Sequence, residues 1–297
     1  GQRRSPLPLL FLPPDTRGAH ESMIASLTMN SGHEIPQLGL GTYLIPDDDA
    51  ERVVGDALGL GYRHIDTAAI YDNEEGVGKG LASSGLARED IFVTTKLWNT
   101  EQGRTEPRDA LRRSLDKLGL DRVDLYLIHW PSPMRDRYVD SWLALQELRD
   151  EGLATSIGVS NFQPEHLDRL AATSATIPAV NQVELHPYFQ QGVLRSRHEQ
   201  AGILTESWGP LGQGKYSLAD IPEIQQIARE IGATVSQVVL RWHLQEGLIV
   251  IPKSVSTDRL RENLEAADFM LSADQMELMR GLERGQRVGP EPSEATF

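Results

Sequence analysis

The sequence predicts a (β/α)8 TIM barrel with a short N-terminal β-hairpin and an extra C-terminal helix, and three observations carry that prediction. Eight apolar runs suited to buried parallel strands recur at 38–42, 64–68, 91–97, 123–130, 156–161, 179–185, 203–211 and 248–254. Helical patterns alternate with them, and no composition shift or long linker between 26 and 297 marks a second domain. Eight such units in about 250 residues match the usual length of this barrel. An open doubly wound sheet is the alternative, and it calls for a Gly-x-Gly-x-x-Gly turn after the first strand. Gly39-Leu40-Gly41 runs on without the third glycine, Gly76-Val77-Gly78-Lys79-Gly80 has the wrong spacing and reads as helix, and Gly212-Gln213-Gly214-Lys215 lacks the P-loop spacing.

Taken in order, residues 1–25 are expected to be a disordered extension or sequence foreign to the native chain, with Met23 or Met29 as a start and 26–297 as a single barrel domain. The apolar stretch after Arg3-Arg4 is short and broken by Pro8, Pro13 and Pro14, unlike a secretory leader. Ser26 to Met29, the turn Asn30-Ser31-Gly32 and His33 to Pro36 read as a hairpin. Between strands, 109–118 places Ala110, Leu111, Leu115 and Leu118 on one helix face with Gly119 as the stop. A further helix, 272–282, follows the last unit.

The chain of 297 residues carries a formal charge of -14, the wrong sign for non-specific attraction to a nucleic-acid backbone or an anionic membrane. Neither partner is expected, and phosphate binding has to be local. No apolar run approaches the roughly 18 residues of a membrane-spanning helix. The absence of cysteine removes disulfides and thiolate chemistry, and a cytoplasmic monomer is expected. The eight histidines include no His-x-x-x-His pair, so no metal site is expected.

In such a barrel the chemistry gathers at the carboxyl ends of the strands. Those positions are Tyr43, Asp66, Lys96, His129, Asn161, Gln182, Trp208 and Lys253. Each has a plain reading: Asp66 can cap a loop, Lys96 can snorkel, and His129 and Trp208 can be core residues. Asp66, Lys96 and His129 on successive strands, with Tyr71 five residues after Asp66, also permit proton donation by a phenol. The ordinary phenol pKa near 10 is high for that task, so Lys96, kept charged by Asp66, is expected to lower it. His129 would orient a carbonyl or relay its proton. A barrel glycosidase would instead need two rim carboxylates, for which Glu184 and Glu206 are the candidates.

Four segments carry a resemblance to a known family. They are Gly61 to Tyr71 with Asn73-Glu74-Glu75 and Gly78, then Leu125-Tyr126-Leu127-Ile128-His129-Trp130-Pro131, Ile157-Gly158-Val159-Ser160-Asn161-Phe162, and Ile251-Pro252-Lys253-Ser254. Across 26–285 the chain resembles the aldo-keto reductases. Within them it is similar to the bacterial 2,5-diketo-D-gluconic acid reductase type through Glu206 to Tyr216 and Leu240 to Gln245. The resemblance implies Tyr71 as general acid, Asp66 and Lys96 as its tuning pair, His129 as substrate orienter, and NADPH as cofactor. It places Ser160, Asn161 and Gln182 at the carboxamide and Trp208 under the nicotinamide ring. Lys253, Ser254 and Arg259 go to the 2'-phosphate, and Glu262 and Asn263 to the adenine. Gly41, Thr42, Asp66, Gly209, Leu211, Gln213, Gly214 and Val255 complete the expected cofactor contacts.

Tyr43, Tyr71, Trp98, His129 and Trp130 are expected to wall the substrate pocket, with Trp142 and Trp242 as helix packing. The segments after Trp130 and Leu282 are short, so an open, shallow pocket for small carbonyls is expected: keto-sugar acids, methylglyoxal-like or aromatic aldehydes, rather than steroids. The other reading on the same fold is an NADPH-binding regulatory subunit, which turnover of a generic aldehyde would separate.

Overall fold

The computed structural model of the chain describes residues 24–295 and 297, so the reading of 1–25 as an extension lies outside the described residues except at its last two. Two short strands, β1 (Ser26–Thr28) and β2 (Glu34–Pro36), form the expected antiparallel hairpin. Eight more make one parallel sheet in chain order: β3 (Leu40–Gly41), β4 (His64–Asp66), β5 (Phe92–Leu97), β6 (Val123–Ile128), β7 (Ala154–Ser160), β8 (Val180–Glu184), β9 (Leu204–Trp208) and β10 (Ile249–Val250). Hydrogen bonds from Gly39 N to Val250 O at 2.9 Å and from Val250 N to Gln37 O at 2.8 Å join the first barrel strand to the last. The sheet is therefore a barrel with no open edge, the arrangement its apolar runs predict.

Helices cover the outside: α1 (Asp47–Leu60), α2 (Glu74–Ser83), α3 (Glu106–Leu118), α4 (Tyr138–Asp150), α5 (Pro164–Thr173), α6 (Gly192–Ala201), α7 (Pro222–Ile231), α8 (Val235–Gln245), α9 (Thr257–Leu264) and α10 (Ala273–Arg280). The connection from β9 to β10 holds two helices rather than one. Pro222 opens α7, and Gly232, at φ 70°, stops it before Thr234 caps α8. The expected C-terminal helix is α10, shorter than 272–282 at both ends, with Ser272 as its N-cap and Gly281 as its C-cap. Trp142 in α4 and Trp242 in α8 are fully buried, as packing residues should be.

The hairpin closes the amino-terminal end of the barrel. Met29 and Ile35 are buried against Phe92, Leu125, Leu127, Ala179, Val180 and Ile249. Apolar contacts therefore fill that end. Higher in the barrel the interior turns polar, with His64, Asp66, Lys96, Gln182 and Glu206 all within 2% of full burial. Buried groups of this kind are stable only when paired, and their pairing builds the opposite end.

Candidate active site

Seven of the eight strand-end residues, Tyr43, Asp66, His129, Asn161, Gln182, Trp208 and Lys253, line one cavity of about 780 Å³, and Lys96 lies buried beside it. The strand leading to Asp66 ends in a tight loop that turns back toward the barrel. Thr67 Oγ1 donates to Asn73 Oδ1 at 3.0 Å, and Asn73 Nδ2 donates to the carbonyls of Thr42 and Ile45, each at 2.9 Å. Those bonds fix the 3-10 turn Ala69–Tyr71, and Tyr71 comes to face its own strand's carboxylate across Lys96.

Lys96 Nζ donates to Asp66 Oδ1 at 2.6 Å, to the Thr67 carbonyl at 2.9 Å and to the Tyr71 hydroxyl at 3.3 Å. Burial alone would discharge Lys96, but the Asp66 carboxylate, 2.6 Å away, holds its pKa above the ordinary value. His129 sits edge-on to Tyr71, with ring centroids 5.6 Å apart, and its Nδ1 has no hydrogen-bond partner among the described residues. Burial, and then the charge of Lys96, keeps this imidazole far below its ordinary pKa, hence neutral.

The expected acidification of Tyr71 is corrected here. Burial pushes the phenol up to about 12, and the downward pull of Lys96, itself offset by Asp66, does not reverse it. The hydroxyl is thus a fully protonated group with a cation at hand, rather than a phenol poised near neutrality. Desolvation prevails because the negative charge of Asp66, paired with Lys96 at 2.6 Å, offsets part of the lysine's attraction at the phenol.

Gln182 also has a second engagement that its place in the sequence hides. Its Nε2 donates to Asp66 Oδ2 at 2.7 Å and to Glu206 Oε2 at 2.9 Å. Asn161 adopts φ 62°, donates to the His129 carbonyl at 3.0 Å and accepts from the Trp208 indole at 2.8 Å. Ser160 Oγ donates to the Gln182 carbonyl at 2.8 Å. Gly41, Gly209, Leu211 and Gln213 join the lining. A Cβ on Gly41 would lie 2.8 Å from the Ile251 carbonyl, so that close approach requires glycine. Thr42, Gly214, Ser254, Val255, Arg259, Glu262 and Asn263 lie outside the lining. Glu262 accepts from Thr234 Oγ1 at 2.6 Å, and Asn263 is buried.

At the start of α9, Ser256 Oγ accepts from the Arg259 N–H. Lys253 and Arg259 there are exposed and make no ion pair among the described residues. Two free cations at a capped helix start, in a chain of charge -14, fit an anionic group such as a phosphate.

The expectation of a shallow, lidless pocket is also corrected. Tyr43, Tyr71, Trp98, His129 and Trp130 all line the cavity, but Gly289, Pro290 and Phe297 of the C-terminal segment cross it as well. Phe297 stacks on Trp98 with centroids 5.9 Å apart and meets Trp130 edge-on at 5.2 Å. The segment is held by Glu184, which accepts from the N–H groups of Val288 and Gly289 and lies 3.5 Å from Arg287. The only advance signal for this was an aromatic residue at 297. Neither glycosidase candidate faces the cavity: Glu184 holds this segment and Glu206 lies under Gln182.

A phenol on a paired lysine, a neutral histidine beside it and a cavity reaching the free cation Lys253 are the geometry against which known proteins can be compared. The model of the Aldo/keto reductase family matches residues 37–284. The chain belongs to this family. Among curated relatives, an aldo-keto reductase of Mycolicibacterium smegmatis is 50% identical over 275 residues, covering 93% of this chain and 99% of the relative. The methylglyoxal reductase DkgA of Escherichia coli K12 is 47% identical over 268 residues, covering 90% and 97%. Among solved structures, apo Gox0644 superposes with a TM-score of 0.88 at 48% identity, covering 92% of this chain and 99% of that one. A Gox0644 variant in complex with NADPH gives the same TM-score of 0.88. As a member of the aldo/keto reductases, the chain is an oxidoreductase built on their barrel. Among the described residues no helix is long and apolar enough to cross a membrane.

Proposed function

We propose that this aldo/keto reductase uses NADPH to reduce small aldehydes and ketones to alcohols, with Tyr71 as the proton donor. One observation carries the reading: the Tyr71 hydroxyl lies 3.3 Å from a lysine that is itself locked onto Asp66 at 2.6 Å, at the wall of the cavity. NADPH, when bound, supplies the hydride. Every other requirement falls on the chain's own groups. Tyr71, whose proton affinity burial raises, gives its proton to the carbonyl oxygen as that oxygen gains charge, and Lys96 stabilises the phenolate left behind. Asp66 keeps Lys96 charged through this step. The neutral His129 directs an edge toward the same oxygen and orients it. Solvent returns a proton to Tyr71 once the product leaves.

For the cofactor, Ser160, Asn161 and Gln182 would hold the carboxamide and Trp208 the ring, while Lys253, Ser254 and Arg259 would hold the 2'-phosphate. The unpaired state of the two cations supports NADPH over NADH. Arg259→Ala is expected to lower the NADPH-to-NADH affinity ratio by about tenfold, near 1.4 kcal/mol. An unchanged ratio in paired fluorescence titrations would remove Arg259 from phosphate binding.

The substrate side is walled by Tyr43, Trp98, Trp130 and Phe297, and the lysines of the lining, Lys215 and Lys253, belong to the segments after β9 and β10. That wall suits uncharged carbonyls such as methylglyoxal or aromatic aldehydes better than keto-sugar acids. The similarity to methylglyoxal reductases points the same way. Following NADPH absorbance with methylglyoxal, 2,5-diketo-gluconate, benzaldehydes and simple ketones tests cofactor and substrate class together. Tyr71→Phe is expected to lower kcat by about 10²–10⁴-fold with NADPH binding intact. Undiminished turnover would take Tyr71 out of the mechanism.

A further inference from the structure

A buried carboxyl beside the Asp66–Lys96 pair has no task in this chemistry. Glu206 stands on β9 with no solvent exposure, next to Gln182 on β8 in parallel register. Through one amide nitrogen, Gln182 ties Asp66 Oδ2 at 2.7 Å to Glu206 Oε2 at 2.9 Å. The titratable groups facing Glu206 are His64 and Asp66 from β4 and Lys96 from β5. From β8 it meets the uncharged Gln182, and β10 pairs with it at the apolar Ile249. Lys96 is already opposed by Asp66, so an ionised Glu206 would be a second anion with no cation of its own in a dry interior.

His64 indicates where the proton sits. Its Nδ1 lies 3.2 Å from the Pro36 carbonyl, which can only accept, so Nδ1 carries the hydrogen. Nε2 then presents a lone pair to Thr94 Oγ1 at 3.3 Å and to Glu206 Oε1 at 3.6 Å. Oε1 has no hydrogen-bond partner among the described residues. A carboxylate oxygen facing that lone pair would be repelled, whereas a carboxylic O–H would be attracted. Environment agrees with geometry: burial takes His64 down to about 4, and burial, then Asp66, takes Glu206 up to about 8.

We propose that Glu206 is a positioning residue, held as a neutral carboxylic acid at neutral pH and oriented through Gln182 onto Asp66, whose ionisation in alkali extends the pH range over which Tyr71 keeps its proton. The inference rests on the reading of Tyr71 as the acid. While Glu206 is neutral, the attraction of Lys96 at the phenol is offset by Asp66 alone. Once Glu206 ionises, its added negative charge offsets that attraction further and raises the proton affinity of the phenol. Glu206→Gln removes the titratable group at every pH and cannot supply this support.

Two measurements test it. In protein labelled with 13C at the glutamate carboxyls, one resonance at pH 7 is expected at the protonated position, lost in Glu206→Gln and kept in Glu74→Gln, which removes the other buried glutamate whose pKa is raised. In the pH profile of kcat/KM for reduction, Glu206→Gln should move the alkaline limb down by about half a pH unit or more, the scale of a unit charge removed at an effective dielectric near 20. Oxidation of the alcohol should rise at a correspondingly lower pH. Absence of any protonated glutamate at pH 7 in Glu74→Gln overturns the inference, and that result needs no folded Glu206 variant. A limb that is unmoved or moves upward in folded Glu206→Gln overturns it too. If Tyr71→Phe retains turnover, the reading of Tyr71 has failed; if Tyr71→Phe is inactive and the Glu206→Gln limb is unmoved, only the present inference has.

Discussion

Lys96 is fully buried, and its three hydrogen bonds go to Asp66, the Thr67 carbonyl and Tyr71. Its charge is tolerated because it is answered on one side and used on the other. Lys96→Met would leave Asp66 as a buried carboxylate without its cation, and breaking a buried pair in this way costs about 3–5 kcal/mol. Urea unfolding is expected to show that loss, together with the loss of reduction. A variant as stable as the parent would mean that Asp66 draws its support from Gln182 instead. The sequence names Lys96 through its place at the end of an apolar run. It does not show that burial outweighs the lysine at Tyr71, because the groups that desolvate the phenol, Tyr43, His129 and their neighbours, come from other strands.

The helices show how one residue type can mean opposite things. Gly78 in α2 faces the end of α3, and a Cβ there would meet the Leu118 carbonyl oxygen at 2.6 Å, with the Leu118 backbone carbons behind it. Gly55 in α1 has open space at the same point. Alanine at either position gains up to about 1 kcal/mol in helix propensity. At Gly78 the clash with backbone is expected to reverse the gain and cost about 1–3 kcal/mol net. Gly55→Ala should keep its gain, and thermal unfolding of the two variants should move in opposite directions. The glycine run 76–80, which the sequence only excludes as a dinucleotide-binding turn, is thereby explained as helix packing: Gly76 and Gly80 are similarly tight against α1.

Across the whole molecule, buried titratable groups make stability depend on pH. His64, His198 and His243 are each driven down to about 4, with burial the largest cause in every case. Unfolded, each takes a proton below about 6.5 that the folded chain refuses, so stability falls as pH drops from 6.5 through about 4. Glu206, up to about 8, has the opposite sign. The folded chain keeps a proton that the unfolded chain releases above about 4.5, so this contribution is lost as pH rises from there through about 8. With His129 and His166 also held low, five histidines outweigh the two raised glutamates, Glu74 and Glu206, in the overlap. The urea midpoint should climb from pH 4 to about 6.5 and then decline gently toward 8. A midpoint independent of pH between 4 and 6 would show that these histidines charge without unfolding.

What the sequence determined by itself is the barrel and the membership of its rim. Apolar runs alternating with helical patterns specify parallel strands buried on both faces, and a closed parallel barrel places every strand's carboxyl end on one side. Reading the polar and aromatic residues that interrupt or close the runs is therefore enough to bring out Asp66, Lys96, His129, Asn161, Gln182, Trp208 and Lys253. Tertiary structure alone decided what stands between and above them. The Gln182 amide that joins Asp66 to Glu206 spans 116 positions in the chain on one side and 24 on the other. Phe297 reaches Trp98 and Trp130 at the end of a segment that Glu184 anchors at Val288 and Gly289, with Asn99 donating to the Phe297 carbonyl. The proton affinity of the Tyr71 phenol is raised because distant residues shut out water. Periodicity reports which way a side chain points from its own strand, but proton affinity depends on everything that surrounds it, and in a barrel those surroundings come from the whole length of the chain.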